Sequence, residues 1–415
     1  MALSLAVAST SSTSSTKKRS HMSIVPPPPR LGSVDVYRGL VMFLMMAEVL
    51  EFGHVAKAFP DSGFWAFLHF HQSHVPWVGC SLHDLIQPSF SFLVGVALPY
   101  SLASRMSQGQ SNWQIWGHTF RRALILILLG IFLRSMYDKQ TNFTFEDTLT
   151  QIGLGYIFLF ALGQVSQRRQ WVALAIILLG YWAWFALFPL PGADFNWAEA
   201  GVAADWPHHL QGFAAHWNKN TNAAWVFDRW FMNLFPREEA FRFNGGGYST
   251  MSFVPTLGTM ILGLIAGQWL KSAQVAVDLL RKLVLTGLIL LTLGFLLNLL
   301  GVCPNVKRIW TPTWTLYSGG WCFLLLAGFY YLVDVLQQGR WFYVLKVLGM
   351  NSIAAYVLAH TVIGFIDSSF RIHVSQQYDL IFGEGYRTLV SGTVLLAMQF
   401  LVLDWMYRKR IFIKI

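Results

Sequence analysis

Apolar runs of about twenty residues recur along almost the whole of this chain, each long enough to cross ~30 Å of hydrocarbon. Backbone N–H and C=O groups find no water in lipid, so a spanning run must pair them within itself as a helix, or in a closed barrel. The alternating polar–apolar pattern of barrel strands is absent. Composition agrees: 54% of the 415 residues are hydrophobic and 12% charged, with a mean hydropathy of +0.46. The chain reads as an all-α, polytopic integral membrane protein.

A net charge of +10 raises nucleic acid as a partner, but the placement of the charges argues against it. Basic residues cluster at every other loop: Lys17 to Arg30, then Arg105, Arg121 and Arg122, then Arg168 and Arg169. Lys271, Arg281 and Lys282 follow, then Arg340 and Lys346, and finally Arg408 to Arg410. This rhythm is the positive-inside signature, which reports orientation in the membrane. Both termini are therefore expected in the cytoplasm and the protein in the inner (plasma) membrane. Three cysteines make no disulfide framework, although Cys80 and Cys303 both fall near the outer face.

Residues 1–32 are Ser/Thr-rich, then basic, then proline-rich, and read as a disordered cytoplasmic leader. Residues 33–415 form the membrane domain, with about ten spans. They are expected near 35–51, 84–104, 120–137, 149–165, 171–188, 251–270, 279–300, 313–336, 342–366 and 388–407. Between the fifth and sixth spans lies a long outer loop, 190–248, rich in Trp and His. Loops of this length are usually functional. Its tryptophans, Trp206 and Trp217 among them, suit stacking on sugar rings, or equally an interfacial cap on the headgroups.

The most reactive stretch precedes the second span. His69, His71 and His74 come just before Pro76-Trp77-Val78-Gly79, and His83-Asp84 opens the span itself. Ionisable groups at the mouth of a membrane helix are expensive unless paired, which marks them as functional candidates. An anchoring belt of His and Trp at a helix end is the competing reading. Asp84 is likewise favoured at a helix start by the dipole alone. No phosphate-binding loop, HExxH, CxxC or complete dinucleotide fingerprint is present, and no carboxylate or cysteine completes a metal set around the histidines.

Several patches, taken in order, resemble the heparan-α-glucosaminide N-acetyltransferase family and its bacterial relatives, the DUF5009 group. Ser33-Val34-Asp35-Val36-Tyr37-Arg38-Gly39-Leu40 is similar to the family's S-x-D-x-x-R-G opening. His74-Val75-Pro76-Trp77-Val78-Gly79 with Asp84 to Phe90 resembles its H-x-x-W-x-G…D-x-x-x-P-x-F block. Asn222 with Asp228-Arg229 resembles an outer-loop N…D-R element, and Ser249-Thr250 with Gly263 and Gly267 an S-T…G…G helix. Pro304 to Pro312 and Gly349 to Tyr356 are close to its P-x-N-K-x-x-W-T-P and G-x-N-S-I-x-x-Y segments. These patches cover nearly all of the chain after residue 33.

The resemblance implies transfer of an acetyl or acyl group from cytosolic acetyl-CoA to a sugar amine or hydroxyl beyond the membrane. The catalytic histidine falls on His74, as base or as acyl carrier, with Asp84 orienting it. Trp77, Asn222, Asp228 and Asn351 would bind the acceptor, a glycan or glycolipid. Asp35 and Arg38 would meet the CoA phosphates, unless they serve as topology signals only. Membrane lipids and a second copy of the chain are the other expected partners, and no metal or nucleic acid is expected. Three family residues are missing: an Asn where Val49 stands between Glu48 and Glu51, an Arg beside Gln151, and a Glu at Gly245. A solute or sugar transporter, and an inactive scaffold, are the competing functions.

Overall fold

The computed structural model describes residues 31–192, 194–273 and 275–413. Residues 1–30 of the expected leader lie outside the described residues. The described chain is all helical apart from one isolated β-bridge. In order, the first helices are α1 (Gly32–Met46), α2 (Phe52–Ala58), α3 (Gly63–Gln72), α4 (Ile86–Ser107) and α5 (Asn112–Ser135). Then come α6 (Thr148–Gly163), α7 (Gln167–Ala186), α8 (Ala223–Phe231), α9 (Phe253–Ser272) and α10 (Ala276–Leu299). The last are α11 (Pro312–Phe329), α12 (Tyr343–Met350), α13 (Ser352–Thr361), α14 (Ile363–His373) and α15 (Arg387–Arg408).

Polar side chains fix the helix starts. Ser111 and Gln114 close a capping box at α5, and Asp147 accepts from the first amides of α6. Thr311 caps α11 with Pro312 in its first turn, where the missing N–H costs nothing. Asp334 accepts from the Gly32 and Ser33 amides at 3.1 and 3.2 Å, so α1 is capped from a distant part of the chain.

The expected count of about ten spans is not confirmed by helix length and composition. Among the described residues seven helices are long and apolar enough to cross a membrane, or nine if each of two bent pairs is one span. The sixth helix, at 16 residues, falls short of that length. The first expected span breaks at Glu51, which takes a left-handed φ of 44°, and α2 leaves at 43° to α1. The ninth breaks at Asn351, where α12 and α13 meet at 70°. Hydropathy reports length and polarity but not direction, so neither bend shows in it. The histidine segment, expected as loop, is partly helical because Ser62 caps α3 through the Trp65 amide.

Helix α9 is the centre of the bundle: 83% of its apolar window is buried inside the protein, against 22% for α10, which is left to face lipid. It packs closest on α4. A Cβ on Gly263 would collide with the Phe92 carbonyl, and one on Gly95 with the Met260 carbonyl. Small residues bring backbones together where lipid provides no hydrophobic push between helices. The 190–248 segment folds back as a cap with its own apolar core, in which Trp77, Trp217, Phe185 and Val306 pack together.

Candidate active site

The site is built where three loops are stitched at one end of α4. Val78 and Val306 form the antiparallel bridge, and the Gly79 amide donates to the Asn305 carbonyl at 3.1 Å. Thr311, besides capping α11, accepts from the Val306 amide at 3.1 Å and so holds the 303–311 loop in shape. The Arg308 guanidinium donates to the carbonyls of Gly246 (2.8 Å) and Val75 (3.3 Å), tying in the third loop. Lys307 is thereby delivered beside residues more than two hundred positions earlier.

Asp84, 1% exposed, collects the donors. One carboxylate oxygen lies 2.8 Å from His74 Nδ1 and 3.3 Å from the Lys307 ammonium. The other accepts from the Ser81 and Val75 amides at 3.0 and 3.3 Å. The Ser81 hydroxyl sits 3.0 Å from that oxygen and 2.6 Å from the Ser73 carbonyl. Lys307 also approaches His74 Nδ1 at 3.1 Å. Burial pushes the Lys307 pKa down, because an ammonium loses its hydration, and the Asp84 carboxylate opposes this. With Nδ1 engaged, His74 Nε2 makes no hydrogen bond among the described residues. The His83 ring lies 4.6 Å away, with its Nε2 4.0 Å from Glu48.

His74, His83 and Lys307 line a cavity of about 1100 Å³. Glu48, Val49 and Glu51 from the end of α1 form another side, and Asn244 to Gly246 with Tyr248 a third. Arg134, Glu146, Asp147, His360, Asp367 and Arg371 add further polar groups to its lining. Two positions where the sequence departs from the family pattern, Val49 and Gly245, thus lie on the wall of this cavity. A cysteine nucleophile is a poor alternative to His74: burial pushes the Cys80 thiol up to about 12 and Cys303 up to about 11. The three cysteines are free.

Other candidates from the sequence lie elsewhere. Trp77 is fully buried, its indole donating to the Trp217 carbonyl at 3.0 Å. Asn222 caps α8 through the Trp225 amide (3.0 Å) and donates to the Asn218 carbonyl. Asp228 accepts from the Thr250 amide (3.0 Å), and burial raises its carboxyl to about 6. Asn351 sits at the α12–α13 break, donating to the Ile411 carbonyl and accepting from the Ile413 amide (2.9 and 3.2 Å). None of these four lines the cavity beside His74. Asp35 and Arg38 pair at 3.5 Å. Asp35 lines a second cavity, about 500 Å³, with Lys346, Arg408, Arg410, Tyr407 and Phe412.

Read from the sequence, Lys307 has no role in the site, and His83 is marked only as one of the ionisable groups at the helix mouth. A signal was present for the first. Lys307-Arg308 are two adjacent cations between two spans, on the side opposite the basic clusters of the positive-inside rhythm, and a cation pair there needs a local reason. His69 and His71 lie on α3, away from the Asp84 carboxylate that His74 reaches.

No family model matches this sequence. It is 25% identical over 438 aligned positions to heparan-alpha-glucosaminide N-acetyltransferase of Homo sapiens, covering 94% of this chain and 60% of the human protein. The Mus musculus protein of the same name is 23% identical, with 93% and 60% covered. The chain therefore spans 60% of the length of these curated relatives.

Proposed function

From the homology of this chain to heparan-alpha-glucosaminide N-acetyltransferase, we propose that it is a transmembrane acetyltransferase. It takes an acetyl group from cytosolic acetyl-CoA and places it on the amine or hydroxyl of a sugar in a glycan or glycolipid on the other face. The observation that carries this reading is the His74–Asp84 pair at 2.8 Å, with Nε2 unengaged at the wall of a cavity large enough for a sugar. Small-molecule sites typically occupy ~300–1,000 Å³.

His74 Nε2 takes the proton of the attacking amine as its nitrogen adds to the thioester carbonyl. The imidazolium then returns that proton to the departing CoA thiolate, so amide and free thiol leave together. In the two-step form Nε2 itself attacks, the C–S bond breaks and the CoA thiolate takes a proton from water. The acceptor amine then adds to the acetyl carbon, releases a proton to water, and the bond to Nε2 breaks to free the imidazole. Asp84 holds the ring by Nδ1 in either form. Lys346, Arg408 and Arg410 around the second cavity suit the CoA phosphates, beside Asp35 and Arg38. Between the cavities α1, α13 and α15 pack Met42, Met46, Ala355 and Leu403 in one apolar cluster, so the donor must part this seam.

The test is His74→Ala in purified protein. Acetyl transfer should fall by ~10²–10⁴, the usual worth of a positioned acid–base group, with acetyl-CoA binding and thermal stability retained. Wild-type turnover in this variant overturns the assignment, and Glu48 and Glu51 on the same wall become the candidates. Acid quench after incubation with labelled acetyl-CoA alone separates the two forms, since the two-step form leaves label on the protein. A protein that neither binds acetyl-CoA nor transfers its acetyl group fails the reading altogether.

A further inference from the structure

Three polar groups meet around one ring nitrogen in a way that a single proton arrangement does not satisfy. His74 Nδ1 is 2.8 Å from an Asp84 carboxylate oxygen and 3.1 Å from the Lys307 ammonium. The same ammonium is 3.3 Å from the same oxygen. Toward Asp84, Nδ1 can only donate, because an ionised carboxylate has no proton to give. Toward Lys307 it can only accept, because an ammonium has no lone pair. A neutral imidazole carries a proton on one nitrogen and a lone pair on the other, so the two hydrogen bonds belong to different tautomers.

We propose that Lys307 is a positioning residue that selects the tautomer of His74. When Lys307 donates to Nδ1, the ring proton sits on Nε2, and the nitrogen presented to the cavity has no lone pair. When Lys307 donates to Asp84 alone, Nδ1–H donates to Asp84, and Nε2 is free to take a proton or an acetyl group. The exchange breaks no bond other than hydrogen bonds and N–H bonds: one proton moves between the two nitrogens, through the acceptor or water in the cavity. Lys307 is well placed to hold these two states. Its side chain is 5% exposed, and its loop is pinned by Thr311, Arg308 and the Val78–Val306 bridge, so the ammonium stays between its two partners.

The inference rests on His74 being the reactive group. The other titratable or charged groups facing the pair are Cys80 from the loop before α4, His83 at its start, Glu48 from the end of α1, and Arg308 and Tyr248 from the stitched loops. Glu48 reaches His83 rather than His74, and Arg308 is spent on two carbonyls. Lys307 is thus the cation in hydrogen-bond contact with the ring.

The first experiment needs no turnover. Histidine-¹⁵N spectra of the wild-type protein, with the His74 signals identified by their loss in His74→Gln, report which nitrogen is protonated. Both tautomers should be populated at neutral pH, and Lys307→Met should collapse them to the Nδ1–H form. A single Nδ1–H tautomer in the wild type overturns the proposal, and this result is available even where Lys307→Met does not fold. The second experiment is kinetic, with acetyl-CoA and an amino sugar. In Lys307→Met the KM values should hold while kcat above the ascending limb rises, by up to the reciprocal of the wild-type Nδ1–H fraction, because the tautomer that remains is the one whose Nε2 lone pair faces the cavity. The ascending limb of the pH profile should move to higher pH, because a like charge near the ring is gone. Lys307→Arg should return the limb toward its wild-type position. A Lys307→Met protein whose kcat above the limb falls, or whose limb does not move, also overturns the proposal. Both tautomers in a protein that transfers no acetyl group would sink the acetyltransferase reading and leave the tautomer selection standing.

Discussion

At the scale of single residues, the chain distinguishes polar groups placed to react from polar groups placed to hold structure. His74 has one nitrogen engaged and one unengaged at a cavity wall, whereas Asn222, Asp228 and Asn351 have their side-chain atoms committed to backbone partners. Asp228 gives this difference a measurable form. Burial holds its carboxyl at about 6, above the usual carboxylate value, although the Thr250 amide partly offsets the cost. Between the unfolded value near 4 and about 6, the folded state keeps a proton that the unfolded state has released. Stability from this group is therefore present below that window and lost as pH rises through it. Asp228→Asn carries no such charge and keeps an oxygen for Thr250. Its melting temperature in detergent, relative to wild type, should rise steadily from pH 4 to pH 6.5. A difference that stays flat over that range would show that Asp228 does not titrate there.

At the scale of elements, the two helices that carry the bundle are held by what they lack. Gly263 on α9 and Gly95 on α4 leave room for a backbone carbonyl where a side chain would stand. Gly180 on α7 has open space around it, on a helix that is mostly turned away from the protein. Gly263→Val should therefore destabilise by ~3 kcal/mol or more, as overpacking at a rigid backbone contact does, and should lower the yield of folded protein. Gly180→Val should extract and melt like wild type. Equal behaviour of the two variants in a thermal melt would count against the α4–α9 crossing as drawn. The broken elements follow a related logic: irregular backbone at membrane depth has to find partners inside the protein. At the α12–α13 break Asn351 supplies them from the segment after α15.

At the scale of the whole molecule, the question is which face carries the His74 cavity and which the basic cavity around Arg408. From the alternating basic loops we propose that the α4–α5 turn lies on the cytoplasmic side and the 190–248 cap on the other. Reporter fusions after Gln110 and at Gly212 should report opposite sides of the membrane. The same side for both would remove the placement of His74 opposite the donor, and with it any need for transfer across the bilayer.

The membrane class and most spans were legible in the sequence because lipid imposes a local rule: about twenty apolar residues, self-paired, with charges at one set of ends. The segments that became α4, α9, α10 and α15 obey it by composition alone. His74 and Asp84 were legible as candidates because ionisable groups at a helix mouth stand out against that background, and because their spacing resembles a known family. The bends at Glu51 and Asn351 were not legible, since direction is set by packing against other helices and leaves hydropathy unchanged. Nor was it legible that Trp77 and Trp217 would turn inward to make a small core of their own. The meeting of Lys307 with Asp84 and His74 was decided by tertiary structure alone. It depends on a threonine cap that shapes the 303–311 loop, and on a β-bridge and an arginine clamp that join this loop to a segment more than two hundred residues earlier, and no local pattern encodes a contact of that range.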